Sequence, residues 1–126
     1  MTDLTIEQKI QEKGLTAPRV TMQDIEDSIK SVHYFTATEG YLGSITPSEN
    51  DTDKTDVVFI ERPVALDLLT FCVIVLKNGF TVTGESACAS PENFNRDIGN
   101  TLAYINAKNK IWPLLGYMLK DKLSKN

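Results

Sequence analysis

LLTFCVIVL-KNG-FTVTGE, residues 68–85, decides the fold of this chain. Leu68 to Leu76 is apolar at nearly every position, which predicts a strand covered on both faces. Lys77-Asn78-Gly79 follows, and Asn-Gly between two apolar runs predicts a tight hairpin with both turn residues at positive φ. Phe80 to Glu85 reads as the returning strand, with Phe80 and Val82 on one face and Thr81 and Thr83 on the other. Gly84 inside that strand marks a bulge or a close backbone approach.

Beyond the hairpin, Ser90-Pro91 predicts the start of the main helix, with Ser90 as N-cap, Pro91 at the first helical position and Glu92 at the positive end. Phe94, Ile98, Leu102 and Ile105 recur at helical spacing along it. Pro113 kinks or ends that helix. A last helix then runs from Pro113 to about Leu123, with Leu115, Met118, Leu119 and Leu123 on its buried side. Before the hairpin, Val57 to Glu61 reads as a short strand ended by Pro63. The stretch from Gly40 to Asp56, YLGSITPSENDTDKTD after its glycine, predicts a long surface loop.

Two short helices open the chain. Thr5 caps the first, with Gln8 as capping-box partner, Ile6 and Ile10 on one face and Gly14 as the stop. Thr21 starts the second, Met22 to about Ser31, with Met22, Ile25 and Ile29 as its apolar stripe. The expected fold is α+β: a small antiparallel sheet built on a central β-hairpin, two or three strands, packed by N-terminal and C-terminal helices. A chain of 126 residues is expected to form one domain. Residues 1–39 are its N-terminal helical segment, 40–56 a variable surface loop, and 57–126 the hairpin with the C-terminal helices.

Composition narrows the function. Thirteen Lys and Arg against seventeen Asp and Glu give a net charge of −4, which argues against non-specific nucleic-acid binding. Lys108, Lys110, Lys120, Lys122 and Lys125 cluster near the C-terminus, but such lysines complement the ends of helices. No apolar run is long enough to span a membrane. The charged start MTDLTIEQKI lacks the apolar core of a signal peptide, so a cytoplasmic setting is expected, with Cys72 and Cys88 as free thiols rather than a disulfide. Two cysteines and His33, without close spacing, make no zinc site; no metal or cofactor is expected.

Candidate chemistry is sparse. Cys88 before a helix start has the setting of an activated thiol, yet a small buried cysteine is the commoner case. Glu85, after a strand and before a small-residue turn, either faces a cleft or serves the turn structurally. These two are the only candidates for an enzyme, and a non-enzymatic protein is expected. The passage Thr83 to Pro91 offers a different chemistry. Free backbone amides at a helix start, with the Ser86 and Ser90 hydroxyls, suit an anion, although an ordinary capped helix has the same sequence signature. Trp112, with Tyr104 and Tyr117 in the same region, is a stacking platform for a base or else a core anchor. The candidate ligand-binding residues are thus Thr83, Glu85, Ser86, Ser90, Asn93, Lys110 and Trp112.

The run LTFCVIVLKNGFTVTGESACASPENF from Leu69, Ile98-Gly99, and KIWPLLGYMLK from Lys110 to Lys120 resemble the gene-49/gene-66-like family of small tailed-phage proteins. KGLTAPRVT, Lys13 to Thr21, fits as well, whereas Gly40–Asp56 looks like a variable insertion. The resemblance implies a phage or prophage origin and work in the host cytoplasm, and transfers no catalytic residue. Small acidic accessory proteins of tailed phages often act by binding, either to a host protein or to a small signalling molecule. The resemblance therefore implies a homo-oligomer that sequesters a small anionic or nucleotide signal of host defence. The alternatives are an inhibitor that binds a host protein, presenting an apolar patch around Tyr41 and Leu42, or a structural or regulatory phage component with no small ligand.

Overall fold

The computed structural model describes residues 3–15, 17–45 and 61–125. Its elements run α1 (Asp3–Glu12), α2 (Met22–Ser28), β1 (Ile29–Thr36), α3 (Ala37–Ser44), β2 (Leu69–Leu76), β3 (Thr81–Ala87), α4 (Arg96–Lys108) and α5 (Ile111–Ser124). A short 3-10 turn, Val64–Leu68, leads into β2, and another, Pro91–Asn93, leads out of β3. The three strands form one antiparallel sheet in the order β1-β2-β3, with helices before and after it, so the α+β expectation holds.

β2 is the central strand, and its side chains alternate between buried and half-buried. Thr70, Cys72, Ile74 and Leu76 are buried on one face, while Leu69, Phe71, Val73 and Val75 lie half-buried on the other. One face is therefore packed, and the other is only half-covered among the described residues, not closed as the unbroken apolar run suggests. The hairpin turn also differs in detail. Gly79 alone takes positive φ, at 90°, and Asn78 does not. Leu76 N donates to Phe80 O at 2.8 Å and Gly79 N to Leu76 O at 2.8 Å, which closes a three-residue loop with glycine in the left-handed position.

The third strand is β1, which lies where the helical periodicity of Met22, Ile25 and Ile29 predicts more helix. α2 stops at Ser28 because the next residues, IKSVHYFT, are rich in β-branched and aromatic side chains that fit a pleated surface. A capping box opens the helix before β1 and the helix after it. Thr21 and Asp24 exchange side-chain and backbone bonds at the start of α2, and Thr36 and Glu39 do the same at the start of α3. The expected loop from Gly40 is thus helical through Ser44. The rest of that loop and the expected strand Val57–Glu61, apart from Glu61 itself, lie outside the described residues; Glu61 is not in a strand.

α4 packs across β3 and β2, and the contact is made by small residues. Gly99, Ala103 and Ala107 are its buried positions. Opposite them stands Gly84: a Cβ built there would lie 2.3 Å from Ala103 O and 2.3 Å from Ala107 N. The close approach that Gly84 signals is a helix backbone resting on the strand. The large aliphatic residues that recur at helical spacing along it are turned outward, with Ile98, Leu102 and Ile105 all exposed. Their side chains cannot fit where backbones come this close, so the helix rotates its glycine-alanine face inward.

The core gathers Ile25, Cys72, Ile74, Leu76, Val82, Ala103, Ala107 and Ile111. α5 starts with Ile111, so Pro113 falls in its first turn, where a missing N–H breaks no bond. Leu115 and Leu119 of α5 are half-buried, but Met118 and Leu123, expected on its inner side, are exposed. α1 runs through Thr5 from Asp3, so Thr5 is not its cap. Gly14 does end α1: Gly14 N bonds Gln11 O and Leu15 N bonds Ile10 O.

Candidate functional site

Strand alternation divides the passage out of β3. Thr83 and Glu85 are exposed on the face away from α4, in register with Val73 and Phe71 of β2. Ser86 pairs with Thr70 and turns toward the helix side. The main helix does not open at Ser90. Ser90-Pro91 starts only the 3-10 turn, Ser90 makes no side-chain cap, and its hydroxyl donates instead to the Glu92 carboxylate. α4 begins five residues later, where Asn95 Oδ1 accepts from Ile98 N at 3.0 Å. The reason is geometric: the chain leaving β3 must climb from the sheet to the helix layer, and the Pro91–Asn93 turn makes that climb.

The shift also engages the amides. Cys88 N bonds Leu68 O, Asn93 N bonds Ser90 O, Phe94 N bonds Pro91 O and Gly99 N bonds Asn95 O, all within 2.9–3.2 Å. What remains is a cleft of about 120 Å³ between Ser86, Asn93 and the first turn of α4. It is smaller than the ~300 Å³ at which small-molecule sites begin. Thr70 Oγ1 lies beneath it, buried and without a hydrogen-bond partner among the described residues. An added Cβ on Gly99 would stand 2.9 Å from that oxygen, so the hydroxyl is sealed between strand and helix. Cys88 is half-buried with its thiol on Ser90 O, and Cys72 lies at the core, where burial pushes its thiol pKa up. Both are free thiols, as expected.

Trp112 stands elsewhere, in the first turn of α5, and it lines a cavity of about 340 Å³. Met22 of α2 and Asn109, between α4 and α5, share that wall, and Arg19 and Val20 come from the segment that follows α1. α1 closes the opposite side with Ile6, Glu7 and Ile10. Arg19 is held fork to fork by the Glu7 carboxylate, Nη1 to Oε2 at 2.8 Å and Nη2 to Oε1 at 2.6 Å. The Arg19 guanidinium, helped by the Gln11 amide, holds the Glu7 carboxyl below its usual range. Lys110 is exposed just before α5, two residues from Trp112 in sequence.

The structure therefore places the seven candidate residues in separate settings. Ser86 and Asn93 share the small cleft, Thr83 and Glu85 lie on the open sheet face, Ser90 bonds Glu92, and Trp112 lines the large cavity at the other end of the helix layer. Arg19 and Glu7 were invisible as a pair, because nothing in a sequence joins residues twelve positions apart across a turn. A third feature is a groove of about 440 Å³ at the hairpin tip, lined by Leu76, Phe80, Leu115, Tyr117 and Met118 among others. Among the described residues no three His, Cys, Asp or Glu stand close enough to hold a metal ion, and no helix is long and apolar enough to cross a membrane.

A three-stranded antiparallel sheet with helices before and after it in the chain defines a small α+β domain. The chain belongs to the Phage protein (N4 Gp49/phage Sf6 gene 66) family, whose sequence profile matches residues 20–123. That match runs through the Gly40–Asp56 stretch, and of Lys13–Thr21 it includes only Val20 and Thr21. Neither a curated protein nor a solved structure matches the chain.

Proposed function

We propose that this phage protein is a non-enzymatic accessory binding protein that sequesters a small anionic, nucleotide-type signal of host defence in the host cytoplasm, as a homo-oligomer. One observation carries the reading: Arg19 and Trp112 line a single cavity of about 340 Å³, within the ~300–1,000 Å³ of ligand sites. A guanidinium recognises phosphate with two parallel bonds, and an indole stacks on a base. The outward stripe of α4 and the hairpin-tip groove support self-association, since several large apolar side chains are exposed there. The test is to incubate the purified protein with a panel of cyclic dinucleotides and related nucleotides, remove the free pool, and heat the protein to release what it holds. Intact nucleotide in the supernatant is the expected result; no uptake across the panel sinks the proposal.

The same apolar faces support a second reading, an inhibitor that binds a host protein. Tyr41 and Ile45 add a further exposed apolar site at the end of α3. Native mass separates the two: a symmetric oligomer favours sequestration, and a monomer that captures one host protein favours inhibition.

A further inference from the structure

The cavity beside Trp112 has a wall of separate origin. Val20, Met22, Asn109 and Trp112 fall within the family match at residues 20–123, whereas α1 and Arg19 precede it. α1 is seated lightly. Ile6 is 45% exposed, and a bidentate Glu7–Arg19 pair ties α1 to the segment after it. A carboxylate on both terminal nitrogens of a guanidinium occupies the donors that a phosphate uses. The helix does not fill the space it covers, since about 340 Å³ stays open beneath it. A helix placed for stability alone would close that volume with side chains, because unfilled space forfeits packing contacts.

Resting on the reading of this cavity as the ligand site, we infer that α1 is a removable clasp, with the Glu7 carboxylate standing on Arg19 in the place of the phosphate of a nucleotide-type ligand. Binding exchanges one anion for another, with no covalent bond made or broken. As Glu7 leaves, Ile6 and Ile10 withdraw and the indole face opens to a base. Affinity is then lowered by the fraction of molecules in which the clasp is closed, and freeing the clasp restores it.

Trp112 is the only tryptophan of the chain, so its fluorescence reports on this cavity alone. The experiment compares the full-length protein with Glu7→Gln, reading acrylamide quenching of Trp112 and affinity for adenosine monophosphate and a cyclic dinucleotide by calorimetry. Opening the clasp is expected to raise quenching about twofold and affinity about tenfold, as for a site that is mostly closed, with Arg19→Met abolishing nucleotide binding. Unsubstituted protein at 1 M salt gives a second reading that needs no variant, a smaller one because a partly buried pair is screened less than an exposed one. Quenching equal to that of the parent protein in both Glu7→Gln and high salt overturns the clasp, and leaves sequestration standing if nucleotide is still taken up. Raised quenching with no nucleotide bound by any form supports the clasp and overturns sequestration at this cavity.

Discussion

α4 and α1 both lie against the rest of the molecule, and they are held in opposite ways. α4 meets β3 through glycine and alanine, backbone almost on backbone, with no room for one more carbon at Gly84. α1 borders an open cavity with Ile6 and Ile10 and pairs Glu7 with Arg19 beside it. The first contact is short-ranged and depends on shape; the second depends on charge. The difference separates a part of the molecule that cannot yield without unfolding from a part that can exchange its partner.

The sharpest break is Gly84→Ala. A methyl group there overlaps the α4 backbone, so the helix must lift from the sheet. A loss of about 3 kcal/mol is expected in denaturant melts, well above the gain from a stiffer unfolded chain. Thr70→Val probes the same interface with the opposite sign. It removes a buried hydroxyl that has no partner while keeping the shape, and should raise stability by about 1 kcal/mol. A destabilised Thr70→Val variant would mean that the hydroxyl is bonded in solution.

Acid distinguishes the two helices next. Arg19, with Gln11, holds the Glu7 carboxyl below its ordinary value, and Asp24 adds to the charge around Arg19. The pairing is therefore fully present above the usual glutamate pKa of ~4.3 and is lost only as pH falls through the lower folded value. Trp112 emission should hold steady down to that range and then shift, and Glu7→Gln should flatten the transition. A Trp112 shift centred near neutrality would exclude Glu7 as its cause. The smallest effect is expected at Ile98→Thr on the outer side of α4, within about 0.5 kcal/mol of the parent in a monomer. A much larger loss, dependent on protein concentration, would show that the stripe is covered by another chain.

The hairpin and the sheet's central strand were legible in the sequence because one unbroken apolar run followed by Asn-Gly has few alternatives. β1 was not. Its two faces carry Ser31, His33 and Phe35 against Val32, Tyr34 and Thr36, so no hydrophobic alternation stands out, and Ile29 continued a convincing helical stripe. The inner face of α4 was not legible for a related reason. Periodicity finds the large apolar residues, and the contact with Gly84 demanded the small ones. Trp112 was legible as a candidate, since a lone indole beside a proline is conspicuous. Its cavity was not, because Arg19 and Glu7 reach it only through the fold. The helix start assigned to Ser90 failed because Ser-Pro-Glu opens a single 3-10 turn as readily as a long helix.

A three-stranded sheet has two rims, and an unguarded rim invites strands from other chains to add to it. On β3 the Asn106 amide donates to Glu85 O at 2.8 Å, from the helix above. On β1 the ladder is interrupted between Ile29 and Ser31, with Lys30 exposed at the irregularity. Each feature disfavours an added strand at its own point of the rim, so neither rim is a bare template along the whole of its length.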